Sequence, residues 1–319
     1  MTWMPFICLG TGLLLGWRKL PARALRAVDW LVNGALILLM AVIGMNVGIN
    51  EEIMQNLGKI GLNCALLCLS AIGGSVVFVV ALEHTILPLS RLVQLSQQSG
   101  GQDAEASEAV QSKAPAEGGN ALLWLIPLSV AAGIAAGYFM LTPASARLLD
   151  ALLYGALIVL YTGVGISMGE NRSVFAYLKQ LGAKVLLLCL AIFFGSVGGG
   201  LLAGMLLGVA PKTALLASSG MGYYSMTGAF MTQHMGAEAG IYGFMVNVMR
   251  DFFTVLLLPL LVHISKGSAI ASGAAGNMDT MLVPVTKLVG QELGLVALVA
   301  GVITTFSVPF LQPLLYRFL

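Results

Sequence analysis

Charged residues are scarce in this chain of 319 residues: Asp, Glu, Lys and Arg make up only 9% of it, against about a quarter of an ordinary soluble domain. Hydrophobic residues make up 58%, and the mean hydropathy is +0.92. Several apolar runs exceed about 18 residues, which is enough for an α-helix to cross the ~30 Å hydrocarbon core of a bilayer. The composition therefore predicts an all-α polytopic membrane protein.

Other features that the sequence lacks exclude several classes of function. The net charge is only +2 and no dense basic tract occurs, which excludes nucleic acid as the main partner. Cysteine is rare, and all four cysteines lie within apolar runs, without disulfide or zinc spacing: Cys8, Cys64, Cys68 and Cys189. Motifs for nucleotide binding, metal binding or nucleophilic catalysis are also missing. The sequence thus predicts neither an enzyme nor a cofactor.

The apolar runs predict eight transmembrane helices. They cover residues 2–17, 29–48, 61–83, 120–141, 147–168, 184–208, 238–262 and 291–317. The loop with Arg18, Lys19, Arg23 and Arg26 is expected in the cytoplasm under the positive-inside rule, as is the loop with Arg172, Lys179 and Lys184. Both termini are then expected outside. The polar, Gly/Ser/Ala-rich segment 84–119 predicts a flexible cytoplasmic linker.

Two further segments, 211–234 and 267–288, are apolar but interrupted by glycine and polar residues. Each lies between crossings that the charge rule places on opposite faces, so each is expected to enter and leave by one face. Two arms of about 10 residues would reach about 15 Å, half the hydrocarbon core. These segments therefore predict two re-entrant hairpins, whose tips must be shielded by protein or line a watery cavity.

The chain contains two internal repeats. Residues 12–75 align without a gap onto 133–196 at an offset of 121, with matching Arg, Asp, Asn and Cys residues as well as glycines. A fainter repeat at an offset of 54 aligns the hairpin and crossing after residue 210 with the next hairpin and crossing. Each unit crosses the membrane an odd number of times, so its second copy is inverted. Inverted repeats are typical of secondary transporters.

The predicted order is therefore 3+3 helices followed twice by a hairpin and a helix, an arrangement that resembles glutamate transporters in architecture. The domains are a first three-helix repeat (1–83), the linker (84–119), a second three-helix repeat (120–209) and a transport core (210–319).

Three polar residues lie in the middle of the seventh crossing. Asn247 and Asp251 are spaced i, i+4, and Asn247 and Arg250 i, i+3, so one helix face carries all three. Charges within a bilayer cost about 2.5–3.5 kcal/mol each on insertion scales. In one interpretation, these residues bind substrate or a coupling ion. In the other, Arg250 and Asp251 form a pair whose charges are satisfied by hairpin carbonyls. The two interpretations are compatible. The planar guanidinium of Arg250 would suit a substrate carboxylate.

The hairpins hold the remaining candidate site residues: Gly222, Tyr224, Ser225, Thr227, Asn277 and Asp279. Glycine lets a backbone break and approach a ligand, and the freed amides and carbonyls can then bind it. Glycine and serine also allow close helix packing, and Asp279 could instead cap a hairpin arm. The offset of 54 pairs Asp279 with Ser225, which predicts that the two hairpin tips face each other.

These motifs, SSGMGYYSMTG, NVMRD and GNMDTMLVPV, resemble the bacterial lysine exporter (LysO) family. The resemblance covers most of the chain, is strongest in 213–285, and includes the eight-crossing topology with both termini outside. It implies export of L-lysine and its analogue thialysine across the bacterial inner membrane. It also implies acidic residues within the membrane: Asp279 matches one, and in the first half the region GMNVGINEEI offers Glu51 or Glu52.

The sequence as a whole predicts a secondary active exporter of lysine, coupled to entry of protons or another cation. The alternatives are a cation/proton antiporter, a transporter of another small amino or carboxylic acid, and a channel. The expected partners are L-lysine, the coupling cation and the lipid bilayer, and the sequence leaves a homo-oligomer open.

Overall fold

The computed structural model describes residues 4–18, 21–85, 118–141, 146–170 and 183–318. This part of the chain forms twelve α-helices and no strand. They are α1 (Met4–Gly16), α2 (Ala22–Gly48), α3 (Glu51–Thr85), α4 (Gly118–Met140), α5 (Ala146–Glu170), α6 (Ala183–Leu207), α7 (Pro211–Ser219), α8 (Tyr224–Met235), α9 (Ala237–Ile264), α10 (Lys266–Gly273), α11 (Leu282–Val289) and α12 (Gln291–Phe318). A 3-10 segment, Ala274–Met278, follows α10. The prediction of an all-helical protein is confirmed.

Six of these helices are long and apolar enough to cross a membrane: α2, α3, α5, α6, α9 and α12. The first and fourth predicted crossings coincide with shorter apolar stretches, Phe6–Gly16 and Leu128–Met140. The chain is therefore a polytopic membrane protein. Most of the predicted linker, residues 86–117, lies outside the described residues, and so does most of the predicted loop at 171–182.

Helix α3 begins ten residues before the apolar run that predicted it, at Glu51 instead of residue 61. The side chain of Asn50 accepts a hydrogen bond from the backbone N–H of Ile53 at 3.3 Å, so it caps the helix start. The first turns expose Glu51 and Lys59. Because these residues are polar, a prediction based on apolar runs does not include this part of the helix.

The first repeat is visible in how its helices pack in pairs: α1 on α5, α2 on α4, and α3 on α6. A Cβ atom added at Gly12 would lie 3.0 Å from Cα of Gly165, and one added at Gly44 would lie 3.1 Å from Cα of Gly133. The offset of 121 converts the first glycine pair into the second. The packing therefore has the reciprocal form that a two-fold relation between the repeats requires, with glycines allowing the backbones to touch.

The second repeat is equally clear in local geometry. Gly236 and Gly290, which the offset of 54 pairs, end α8 and α11 with φ of 90° and 97°. Each donates its N–H to a threonine carbonyl four residues earlier, Thr232 and Thr286 respectively. The following helices, α9 and α12, each have 28 residues. The structure thus builds both copies the same way, because glycine alone accepts this φ without strain.

The helices form two units. Helices α1, α2, α4 and α5 pack on one another, and we call them the four-helix unit. Helices α3 and α6 pack instead against the broken helices and against α9 and α12. Together these eight helices, α3, α6 and α7–α12, form what we call the hairpin unit. This unit surrounds the residues that the sequence singled out.

Candidate functional site

Each segment predicted as a hairpin is a pair of short helices joined by an irregular tip. In the first, α7 and α8 are joined by residues 220–223, and in the second, α10 and α11 are joined by the 3-10 segment and residues 279–281. The backbone N–H of Ala275 donates a hydrogen bond to the carbonyl of Met221 at 3.0 Å, so the two tips touch. The offset of 54 pairs Met221 with Ala275. The contact is therefore made by equivalent residues, a few positions before Ser225 and Asp279.

Backbone strain is concentrated at these tips. Met221 and Ala274 are the non-glycine residues with positive φ in the described chain, at 51° and 44°. Such conformations cost of order 1–2 kcal/mol for a residue with a side chain. Strained backbone that the surrounding structure holds in place is common at binding sites.

Asn247 fastens the first tip to the middle of α9. Its Oδ1 accepts a hydrogen bond from the backbone N–H of Gly222 at 2.7 Å. Its Nδ2 donates to the carbonyls of Ala217 and Gly243 at 2.9 and 2.7 Å. Asn247 is fully enclosed by these partners, with 1% of its surface exposed. It positions the tip and leaves no polar atom for a ligand in this state.

Arg250, also buried, connects four helices. Its Nε and Nη2 each donate at 3.0 Å to carbonyls at the end of α10, those of Ser272 and Ala271. Its Nη1 and Nη2 donate to the hydroxyls of Ser196 and Ser75 at 2.8 and 3.1 Å. A cation at a helix C-terminus is favourable, because the last carbonyls lack helical partners. Arg250 is thus held by carbonyls and hydroxyls, and the described residues include no ion pair between it and Asp251.

The two serines are equivalent in the first repeat, since an offset of 121 separates Ser75 from Ser196. Each is fully buried, at the place where α3 and α6 cross at Gly74 and Gly195. The guanidinium of Arg250 therefore binds both copies of the repeat at one symmetric point. The sequence contained a signal for this, the matched Gly-Ser pairs, but nothing in it linked them to Arg250.

Asp251 lies between the two tips, and one of its carboxylate oxygens has no hydrogen-bond partner. Its Oδ2 accepts a hydrogen bond from the Thr280 hydroxyl at 2.9 Å. Its Oδ1 is buried and has no hydrogen-bond partner. A Cβ atom at Gly276 would lie 2.8 Å from this oxygen, and one at Gly222 would lie 3.6 Å from it. The two tip glycines therefore leave the space beside a carboxylate oxygen that has nothing to bind.

Asp279 stands close to Asp251, on the other side of Thr280. The backbone N–H of Thr280 donates to Oδ1 of Asp279, while its hydroxyl donates to Asp251. Asp279 does not cap α11, whose N-cap residue is Met281, and its side chain is exposed. The carboxylates of Asp251 and Asp279, bridged by Thr280, form what we call the acidic site. A ligand can reach this site from the side on which Asp279 is exposed. The sequence analysis did not single out Thr280, although it is the next residue after Asp279.

The other predicted site residues surround this acidic site at greater distance. Thr227 donates to the carbonyl of Tyr223 and accepts from Gln312, each at 2.8 Å. Asn277 donates to the carbonyl of Ile270 at 2.7 Å, and its Oδ1 is buried without a partner. The ring of Tyr224 packs edge-on against Phe244, and Ser225 is buried in the first turn of α8. These side chains shape the tips.

Among the described residues, no cluster of His, Cys, Asp and Glu is suited to hold a metal ion. Paired carboxylates at the meeting point of two broken helices, inside a polytopic helical bundle with internal repeats, are typical of membrane transport proteins.

Comparisons with known proteins agree with this class. The family model described as "Lysine exporter LysO" matches residues 6–100 and 128–316, so the chain belongs to the lysine exporter LysO family. It is 30% identical over 157 residues to the Escherichia coli protein named "Lysine exporter LysO", covering 49% of this chain and 52% of that protein. It is 29% identical over 156 residues to a "Putative lysine exporter" of Haemophilus influenzae, covering 49% and 79%.

The matched region thus spans about half the length of the E. coli relative. No solved structure matches the chain. The membership confirms the resemblance inferred from the hairpin motifs, and it places the chain in a family of transporters and not of enzymes.

Proposed function

We propose that this protein exports L-lysine, and its analogue thialysine, from the cytoplasm by secondary active transport coupled to entry of protons or another cation. The observation that carries the proposal is the pair of carboxylates, Asp251 and Asp279, bridged by Thr280 at the contact of two hairpin tips. Carboxylates can bind either an ammonium group or a proton, and binding of one disfavours the other. Competition between the ammonium group and the proton for one carboxylate is the minimum requirement for exchanging them across the membrane.

The roles within the site follow from their contacts. Asp279, exposed, receives the substrate ammonium or the proton, and the unpartnered Oδ1 of Asp251 completes the site. Gly222 and Gly276 give the ligand access, while Asn247, Asn277, Thr227, Ser225 and Tyr224 fix the tips. Arg250 could hold the substrate carboxylate only by releasing some of its four hydrogen bonds. In the structure, Arg250 instead joins both copies of the first repeat to the second hairpin.

We also propose the membrane arrangement: eight crossings with both termini outside the cytoplasm in the bacterial inner membrane, and two hairpins that enter from opposite faces. The positions of α1–α6, α9 and α12 support eight crossings, and the tip contact between Met221 and Ala275 supports hairpins that meet. Arg250 and Asp251 lie at the middle of the 28-residue helix α9. The acidic site is then near the bilayer centre, as expected for alternating access.

Coupling is needed because the inside-negative potential opposes export of a cation, by about 2.3 kcal/mol per 100 mV. The test is uptake of radiolabelled lysine into inside-out vesicles, with and without an imposed pH gradient. We expect saturable uptake that the gradient accelerates, and competition by thialysine. Absence of saturable lysine uptake would contradict the substrate, whereas uptake that ignores both pH and other cation gradients would contradict the coupling.

A further inference from the structure

A cavity of about 200 Å³ lies between the four-helix unit and the hairpin unit. Helices α2 and α5 form one wall, and Tyr223, Met278 and Thr305 are part of the other. Asp29 of α2 is the one charged residue among the described residues that line it, and its side chain is exposed. A passage between the two units therefore has a single carboxylate in its wall.

The cavity leads toward the acidic site. Tyr223 follows the tip glycine Gly222, and Met278 directly precedes Asp279. Thr305 donates a hydrogen bond at 3.1 Å to the carbonyl of Ala275, the residue that joins the two tips. A ligand in the cavity would thus lie beside the two hairpin tips that hold the acidic site.

Two positions of the cavity wall have equivalents in the other copy of the repeat that are packed more tightly. The offset of 121 pairs Val28 and Val32, both half-buried at the cavity, with Leu149 and Leu153, which are each 2% exposed. Inverted repeats put equivalent residues at opposite ends of the bundle, so the two ends are packed differently at these two positions.

The same offset pairs Asp29 with Asp150. If the repeats exchange conformations during transport, the cavity closes around Asp29 and an equivalent one opens around Asp150. Asp150 is exposed near the start of α5, and under the proposed topology this end of α5 is the outer one. Each cavity then has one carboxylate at the corresponding place.

We infer that Asp29 and Asp150 are two successive binding subsites for a cationic amino group, the first on the cytoplasmic path to the acidic site and the second on the outer path from it. The inference rests on the proposed function and topology. An exposed carboxylate attracts a cation only weakly, by an amount that corresponds to at most about a fivefold change in affinity. Weak binding suits a subsite that must also release its ligand.

The first test compares lysine kinetics at the two faces. In inside-out vesicles, Asp29→Asn should raise the KM for lysine about three- to fivefold and leave the maximal rate unchanged. High salt should abolish the difference, because it screens exposed charges. In right-side-out vesicles, Asp150→Asn should raise the KM for lysine in counterflow by a similar factor. Glu238→Gln, which removes an exposed carboxylate outside this cavity, is the control. Unchanged KM values for both aspartate variants, with wild-type transport intact, would overturn the subsites and leave the proposed function standing.

A second test is independent of lysine transport. The background is Cys8→Ala, because the other three cysteines are buried. In this background, a cysteine introduced at Val28 should react with thiol reagents applied from the cytoplasmic side. A cationic reagent should react about three- to fivefold faster than an anionic one of the same size. Adding Asp29→Asn should remove this preference. Equal rates for both reagents with Asp29 present would overturn the subsite even if lysine were not the substrate.

Discussion

The four-helix unit and the hairpin unit both depend on glycine, but for different reasons. In the four-helix unit, glycines such as Gly12 and Gly165 lie within regular helices and let two backbones touch. In the hairpin unit, Gly222 and Gly276 lie where helices are broken, and they leave room beside the carboxylate of Asp251. Glycine thus serves rigid packing in both units, since Gly74 and Gly195 let α3 and α6 cross, but it gives access to the candidate site only in the hairpin unit.

Buried polarity separates the two units as well. Among the described residues, the buried Asn, Ser, Thr, Gln and Arg side chains lie in α3, α6–α10, the 3-10 segment and α12, whereas the four-helix unit buries the hydroxyl of Tyr161 in α5. Buried polar groups are costly unless they are bonded, so a protein keeps them where they have a task. The four-helix unit is therefore mainly an apolar support, whereas the hairpin unit contains most of the buried polar groups of the described residues.

The largest effect on transport is expected from Asp279→Asn. Asparagine can still accept the hydrogen bond from Thr280 N–H, so the protein should insert and fold normally. It cannot exchange a proton or carry a negative charge, and we expect lysine uptake into inside-out vesicles to fall about a hundredfold or more. The pH dependence of lysine binding should disappear with it. A variant that exports at the wild-type rate with pH dependence intact would move the proton carrier to Asp251.

Arg250→Lys should have the largest effect on stability. Lysine keeps the charge but lacks the planar fork that reaches Ser75, Ser196 and the α10 carbonyls together. We expect a loss of about 2–4 kcal/mol in the free energy of unfolding, since several buried groups lose their partners. Thermal unfolding in detergent measures this loss. Wild-type stability combined with lost export would instead assign Arg250 to the substrate carboxylate.

Gly12→Ala and Gly133→Ala test the two-fold packing of the four-helix unit. At each position the new methyl group would meet backbone atoms of the facing helix, which cannot rotate away. We expect each to lower the free energy of unfolding by about 1–3 kcal/mol, and by equal amounts. The control is Gly10→Ala on the same helix, where no atom lies within 4 Å of the added Cβ. Clearly unequal losses would mean that the two copies do not pack equivalently.

The smallest effects should come from Ser75→Ala and Ser196→Ala. Each removes one hydroxyl that accepts a hydrogen bond from Arg250. A single buried hydrogen bond contributes about 1 kcal/mol, so we expect two similar losses of that size in thermal unfolding. If only one serine mattered, Arg250 would belong to one copy of the repeat and not to both.

Much of the fold could be predicted from the sequence, because the bilayer restricts what each segment can do. The apolar runs predicted the helices, and the glycine-interrupted segments predicted the two broken pairs. The tip contact was harder to predict. We expected Ser225 and Asp279 at the contact, whereas Met221 and Ala275, which the same offset of 54 pairs, make the hydrogen bond. The reason is that α7 ends at Ser219 and the tip turns before Ser225 is reached.

The grouping of the candidate site residues could be predicted from the sequence, but their hydrogen bonds could not. Spacing put Asn247, Arg250 and Asp251 on one helix face, and all three do face the hairpins. The partners of Arg250 come from α3, α6 and α10, and no local pattern links segments so far apart in the chain. Thr280 follows Asp279 in sequence, yet its bridge to Asp251 depends on α9 packing beside the second tip.

From the sequence alone it was possible to predict the membrane helices, their arrangement as inverted copies and the family of the chain. Those properties depend on apolar length, parity and residue identity, all of which are local or periodic. Only the tertiary structure decided that Arg250 binds carbonyls and the paired serines instead of Asp251, and that Oδ1 of Asp251 stays open between two glycines. Those properties depend on where separate helices meet, and small shifts in packing change which polar atoms lie within hydrogen-bonding distance.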